Sequence, residues 1–434
     1  MAVISERLLE NDTIKEKVYV ATLDPGLEVF VFPKKGYNKQ YASFATQFGS
    51  IDNTFYVEGK ENLLEVPDGV AHFLEHKLFE GEQGNVFDEF ARFGASANAY
   101  TNFTMTNYLF SSTDHFEKCF DLLLNFVQDP YFTKESVEKE KGIIAQEIRM
   151  YEDNPNWRLF FNLLGSLFAV HPVRKDIAGT VESIMDIDEE VLYKCYRTFY
   201  HPSNMALFVV GDLEPERVIH QVIDNLEKKN YQPMGEIKRI YPEEPKNVRE
   251  KCVREKMEVS QPLLNLGFKD PNVGFTGREL FKKELASELL LEMLFGKASE
   301  TYTRLYEEGL INDQFGSTFV GEKDYGYSIM GGETPDPDKL YQELLSSIKQ
   351  YTQGGFREED FERQRRKMLG EFLRSFNSLE FIANNFLYYH FRNNNLFDFV
   401  SLLKEITAED IQVRLRELFD EKYHSCSIIN NNGR

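Results

Sequence analysis

Val70-Ala71-His72-Phe73-Leu74-Glu75-His76-Lys77-Leu78-Phe79 is the stretch on which the reading of this chain turns. Apolar residues at 70, 71, 73, 74 and 78 surround the polar ones. The stretch therefore reads as a largely buried helix, near Gly69 to Glu80, whose polar side must face a compensating group. A later stretch, Glu288-Leu289-Leu290-Leu291-Glu292-Met293-Leu294-Phe295, repeats it when Leu294-Phe295 is set against Leu78-Phe79. The second helix has no histidines, so only the first can carry a two-histidine site.

The order of elements around both helices is the same. A β-pattern run, Tyr41 to Phe48, precedes the first helix, and Leu263 to Phe268 precedes the second, over Phe281 to Phe295. Ala97 to Ser112 alternates as strands before a helix at Phe116 to Val127, and Phe315 to Gly331 does so before Leu340 to Tyr351. A long charged helix follows in each half, Ser136 to Tyr151 and Asp360 to Arg374. This is internal duplication. The polar stretch Glu227 to Glu250, with Pro233, Gly235, Pro242 and Pro245, separates the halves. The expectation is a metal-type domain over 1–230, a linker over 231–250 and a homologous domain without the motif over 251–434. Short hairpins in place of strict strand–helix–strand alternation indicate an α+β class, each domain a mostly antiparallel sheet flanked by helices.

With 434 residues the chain can bury more than one core, and its 42% hydrophobic and 14% aromatic residues are those of a folded protein. Fifty Lys and Arg against 71 Asp and Glu leave a charge of −21, which excludes nucleic acid as the main partner. No run approaches the ~18 apolar residues of a membrane span, and Met1 to Lys15 lacks a signal-peptide core, so a cytoplasmic location is expected. Cys119, Cys195, Cys252 and Cys426 are widely scattered and are expected to be buried thiols.

His72 and His76 stand one helical turn apart on one face, so both imidazoles can reach a single ion, and Glu75 shares that face. A catalytic zinc ion takes three protein ligands and keeps one position for water, so one ligand must come from elsewhere. Glu140, Ile143, Ile144, Glu147, Ile148 and Tyr151 form one stripe of period 3.6. Two acids in an apolar stripe need partners. Glu147 as third ligand and Glu140 as the acceptor orienting a ligating histidine satisfy both. Glu152, off the stripe, is a lesser candidate. Glu75 is then the general base that takes a proton from water and returns it to the leaving amine. The expected cofactor is one Zn2+ per chain, and the expected reaction is hydrolysis of a peptide bond.

His72 to His76 together with the distant glutamate resembles the pitrilysin/insulinase family of inverted-motif zinc metallopeptidases, which includes the mitochondrial processing peptidase. Further matching stretches are Gly94-Ala95-Ser96-Ala97-Asn98-Ala99-Tyr100-Thr101, Glu140 through Glu147, His171-Pro172, Gly179-Thr180, and Tyr200-His201-Pro202-Ser203-Asn204-Met205 leading to Gly211-Asp212. The resemblance spans the whole chain. It implies a zinc-bearing subunit of a two-subunit endopeptidase that closes a chamber around a peptide or unfolded segment. It also implies that Ser96, Ala97, Asn98, Ala99 and Tyr100 form an edge strand that binds substrate main chain to main chain. His171, Tyr200 and His201 read as loop and packing residues.

One departure concerns the second domain, where the family holds the substrate carbonyl with an arginine and a tyrosine a short way after it. Tyr306 and Asn312 stand at those positions here, with Arg304 nearby but out of register. The resemblance then implies a heterodimer in which a metal-free homologue supplies the Arg/Tyr pair. A homodimer is the second arrangement, and a noncatalytic scaffold or peptide-binding subunit of the same fold is the alternative function.

Overall fold

A computed structural model describes residues 3–59, 62–82, 84–229 and 231–431. The chain divides into two compact units, one made of 1–148, 176–240 and 375–391, the other of 149–175, 241–374 and 392–434.

The first unit is built on a seven-stranded sheet: β1 Val3–Asn11, β2 Glu16–Leu23, β3 Leu27–Pro33, β4 Gln40–Thr46, β5 Ser96–Thr101, β6 Thr106–Ser112 and β7 Met205–Gly211, in the order β1-β2-β3-β7-β4-β6-β5. Only β3 and β7 run parallel. The β7 sequence Met-Ala-Leu-Phe-Val-Val-Gly is apolar throughout and buried throughout, as a central strand covered on both faces requires. β5 is the outermost strand and pairs with β6 alone, from Ser96↔Ser111 to Thr101↔Thr106.

The second unit has five strands: β8 Cys252–Met257, β9 Leu263–Lys269, β10 Gly316–Gly321, β11 Gly326–Glu333 and β12 His424–Asn431, in the order β8-β12-β9-β11-β10. Its first and last strands are parallel and the remaining pairs antiparallel. This repeats β3-β7-β4-β6-β5 strand for strand, so the duplication extends to topology. β1 and β2 are an addition to the first unit.

The helices used below are α1 Val70–Leu78, α2 Lys134–Glu152, α3 Pro155–Leu167, α4 Gly277–Phe295, α5 Glu300–Glu307 and α6 Leu379–Phe391. Two of them depart from the contiguous domains expected from the sequence. α3, inside the 1–230 block, belongs to the second unit, and α6, inside 251–434, belongs to the first. The reason is where their apolar faces are buried. α3, started by Asn154 capping the N–H groups of Asn156 and Trp157 with Pro155 at the first position, buries Leu159, Leu163, Leu164 and Leu167. At about 1.5–3 kcal/mol for each fully buried leucine, this face holds α3 to the second unit. Leu163 lies over Gly267 of β9, where an added Cβ would come within 2.9 Å of it. α6 lays Phe386 on Phe30 and Phe208 of the first sheet, with ring centroids 5.7 and 5.0 Å apart.

The expectation of four buried thiols holds for Cys119 and Cys195. Cys252 and Cys426 are instead joined as a disulfide, because β8 and β12 set them directly opposite each other. No described helix is long and apolar enough to cross a membrane.

Candidate metal centre

α1 is buried along Val70, Ala71, His72, Phe73, Leu74, Lys77 and Leu78. Its start is set by two touching backbones. Gly69 has φ +88°, and a Cβ there would lie 2.3 Å from the Ala178 carbonyl oxygen. Gly179 has φ +78°, and its Cβ would lie 2.6 Å from the Asp68 carbonyl oxygen. Only glycine fits either position. The Ser183 hydroxyl donates to the same Asp68 carbonyl at 2.9 Å. The Gly179-Thr180 match in the sequence thus marks the segment that aims α1.

From that start, α1 presents His72 and His76 with ring centroids 4.6 Å apart, facing α2. Glu147 Oε2 on α2 lies 3.8 Å from His72 Nε2 and 3.4 Å from His76 Nε2. The ligand-type atoms of His72, His76 and Glu147 all lie within 4.8 Å of one another, the only such group among the described residues. Two turns back along α2, buried Glu140 places Oε1 3.0 Å from His76 Nδ1. That contact puts the ring proton on Nδ1 and leaves the Nε2 lone pair toward Glu147. Glu152 is exposed and outside the group. Ile143, read as part of the buried stripe, is 44% exposed. It lies at the margin of the stripe, where α2 turns toward solvent.

Burial, with His76 adjacent, pulls the His72 pKa down to about 3, so this ring is neutral. Burial also opposes charge on His76, but the Glu140 hydrogen bond and the nearby Glu147 outweigh it and raise its pKa. Glu75 is pushed up by burial and held back by the Thr101 hydroxyl, which donates to Glu75 Oε2 at 2.7 Å. Thr101 closes the quoted Gly94-to-Thr101 match, but its spacing from Glu75 carries no sign of this contact. Its only signal was period-two alternation, which sets 97, 99 and 101 on one face of β5.

Two imidazole nitrogens and a carboxylate oxygen converging on one point, with His76 oriented by a carboxylate, fit Zn2+ in number, chemistry and second layer.

β5 lies beside α1 with Ser96 and Asn98 exposed and Ala97, Ala99 and Tyr100 half-buried. The Ala99 N–H is taken by the Asn98 side chain at 2.9 Å instead of by a neighbouring strand. By ladder alternation, the main-chain groups of Ala97 share that outward direction. The second unit differs at both places. Glu288 on α4 accepts from the main-chain N–H of Phe319 on the outer strand β10 at 2.6 Å, and burial raises its pKa to about 7. Glu292, aligned with His76, receives Lys367 at 2.6 Å.

The residues of the expected Arg/Tyr positions are engaged otherwise. Tyr306 is 53% exposed. Asn312 donates to Glu333 at 2.8 Å, and Arg304 of α5 pairs with Glu343 at 2.7 Å and Glu308 at 3.4 Å. His171 is buried and accepts from the Val173 N–H at 3.1 Å, and His201 lies between Ser203 and the Gln232 carbonyl. Tyr200 shares a hydrogen bond with Tyr108 at 2.8 Å. These three are packing groups, as read from the sequence.

Among the described residues, only the first half of this duplicated α+β chain carries a His-His-Glu cluster, the arrangement expected of a two-domain metallopeptidase-type fold. The chain belongs to the insulinase family, peptidase family M16. The family profile "Insulinase (Peptidase family M16)" matches residues 63–181, and "Peptidase M16 inactive domain" matches 186–368. A Bacillus subtilis (strain 168) protein named as the uncharacterized zinc protease YmfH is 48% identical over 422 residues, covering 97% of this chain and 98% of that protein. The Bacillus subtilis protein named as the zinc protease AlbF is 30% identical over half of each chain. The crystal structure of an M16-like peptidase from Alicyclobacillus acidocaldarius superposes with a TM-score of 0.92 at 37% identity over the full length of both chains.

Proposed function

We propose that the chain is a zinc-dependent metalloendopeptidase that cuts peptides or unfolded segments inside a chamber completed by a second subunit. The convergence of His72 Nε2, His76 Nε2 and Glu147 Oε2 beside Glu75 carries this reading. His72, His76 and Glu147 would hold one Zn2+, with Glu140 fixing the His76 ring. When bound, zinc supplies Lewis acidity, making water more acidic and a carbonyl more electrophilic. Glu75 takes the proton released by water on its carboxylate and delivers it to the leaving amine nitrogen. Burial raises its pKa, which is the direction that helps a carboxylate hold a proton before returning it. Thr101 keeps the carboxylate aimed. The outward main-chain groups of Ala97 and Ala99 pair with the substrate backbone, flanked by Ser96, Asn98 and Tyr100, so that shape is read more than sequence.

Support for the developing oxyanion is usually worth several kcal/mol. Arg304 is committed to Glu343 and Glu308, and Tyr306 and Asn312 replace the family's pair. This favours a heterodimer in which a metal-free homologue supplies arginine and tyrosine. The test is zinc content together with cleavage of an unstructured peptide by wild type and Glu75→Gln, with and without a candidate partner. The reading expects about one zinc in both proteins and cleavage by wild type only, stimulated by the partner. Zinc-loaded protein without Glu75-dependent cleavage in either condition would make the chain a noncatalytic subunit. Full turnover by the isolated chain would remove the heterodimer, leaving the homodimer if that chain is dimeric.

A further inference from the structure

We infer that Asn384, on α6, is a positioning residue for the substrate strand β5. The inference rests on the proposed peptidase reading and adds a residue outside both the motif and the matched profiles, which end at 368.

As the outermost strand, β5 has a ladder on one side only, so its position depends on β6 and on what its side chains grip. The two faces grip different things. On one face Thr101 reaches Glu75. On the other, the Tyr100 hydroxyl accepts from Asn107 Nδ2 at 3.2 Å. Asn107, on β6 and fully buried, uses every hydrogen-bonding atom of its side chain. Its Oδ1 accepts from the Ser43 hydroxyl at 2.6 Å, and Nδ2 donates to Asn384 Oδ1 at 3.2 Å as well as to Tyr100. Asn384 Oδ1 accepts a second hydrogen bond from the Tyr41 hydroxyl at 3.3 Å. The burial of Tyr41 raises its pKa, so the phenol remains a donor.

The four hydrogen bonds fall on three acceptor oxygens, and Asn384 Oδ1, which takes two of them, is the point where two strands' side chains meet the helix. Without that oxygen, a buried Asn107 N–H has no acceptor, and the amide can satisfy it only by turning away from Tyr100. β5 then keeps its ladder and loses its anchor on the α6 face. Outward groups at Ala97 and Ala99 become less fixed just where a substrate backbone must pair. Misplacement of that kind weakens substrate alignment against Glu75 while leaving His72, His76, Glu147 and Glu140 untouched. The α6 helix is joined at both ends to segments of the second unit, so this grip on the substrate strand comes from the C-terminal half of the chain.

The experiment compares wild type, Asn384→Leu and Asn384→Asp, each with the partner if cleavage requires one, by amide hydrogen exchange and by peptide kinetics. Asn384→Leu is expected to speed exchange of the 96–100 amides by about tenfold with α1 unchanged, and to raise KM about tenfold with kcat within about threefold. Zinc content stays at the wild-type level. Asn384→Asp, which keeps an acceptor, is expected to stay within about threefold of wild type in both readouts. Unchanged exchange and KM in Asn384→Leu, or equal damage in Asn384→Asp, would overturn the inference; so would faster exchange with unaltered KM. If Asn384→Leu does not fold, Tyr100→Phe removes the strand's own acceptor and must give the same exchange and KM changes. Absence of any Glu75-dependent cleavage by wild type strikes the peptidase reading instead, and the exchange rates of 96–100 still decide whether Asn384 braces the strand.

Discussion

Replacing Glu140 is the sharpest probe of the proposed metal centre, because on that reading this residue is not a ligand and should act only through His76. Glu140 is 5% exposed and its Oε1 stands 3.0 Å from His76 Nδ1, while His76 Nε2 lies 3.4 Å from Glu147. The carboxylate accepts the Nδ1 proton and thereby selects the tautomer whose Nε2 lone pair is free. Gln at 140 can accept the same proton but carries no charge, and it can also turn its amide to donate, selecting the wrong tautomer. Leu leaves Nδ1 without a partner. Loss of such a supporting carboxylate typically weakens metal binding 10–100-fold, which is about 1.4–2.8 kcal/mol. The assay is competitive zinc titration against a chromophoric chelator, with thermal unfolding of the apo proteins as control. Glu140→Gln should fall near the lower end and Glu140→Leu near the upper, both with apo stability changed less than zinc affinity. Zinc affinity within twofold of wild type in Glu140→Leu would refute the orienting role, as would an equal loss of apo stability.

Leu163→Ala, in α3, should lower unfolding stability by about 2–5 kcal/mol, since Leu163 is fully buried and packs on Gly267; denaturant unfolding measures it, and zinc affinity should not change. Gly179→Ala should cost about 1–3 kcal/mol or more from positive φ and from the Cβ placed 2.6 Å from the Asp68 oxygen, and because that contact aims α1 it should also weaken zinc binding. Burial lowers the His171 pKa from 6.5 to about 4, so between these values the unfolded chain holds a proton that the folded chain does not. The His171 contribution is therefore complete above about pH 6.5, falls as pH drops, and levels off below about 4. Its share of the loss between pH 7 and 5 is about 2 kcal/mol, and His171→Phe should flatten the pH dependence of the unfolding free energy measured in urea by that amount.

Local periodicity carried much of this protein. The four-residue spacing of His72 and His76 and the stripe through Glu140 and Glu147 needed no tertiary information, because both follow from 3.6 residues per turn. The repeated order of elements was legible because each half keeps the same succession of periods, and the paired sheet orders β3-β7-β4-β6-β5 and β8-β12-β9-β11-β10 reproduce it. The strands β1 and β2 are not legible in the sequence, since their mixed residues carry too weak an alternation.

Tertiary structure decided everything that depends on which surface an apolar face meets. α3 and α6 are amphipathic whichever sheet they cover, and chain order assigned each to the wrong unit; only the fit of Leu163 over Gly267 and of Phe386 on Phe30 and Phe208 selects the partner. The Cys252–Cys426 disulfide likewise exists because β8 lies beside β12, 174 residues away in sequence. Nor could spacing reveal that Thr101 holds Glu75, or that Asn384 reaches Asn107 and, through it, Tyr100. Such contacts join residues whose separation along the chain contains no period, so their partners are chosen only when the sheets and helices pack.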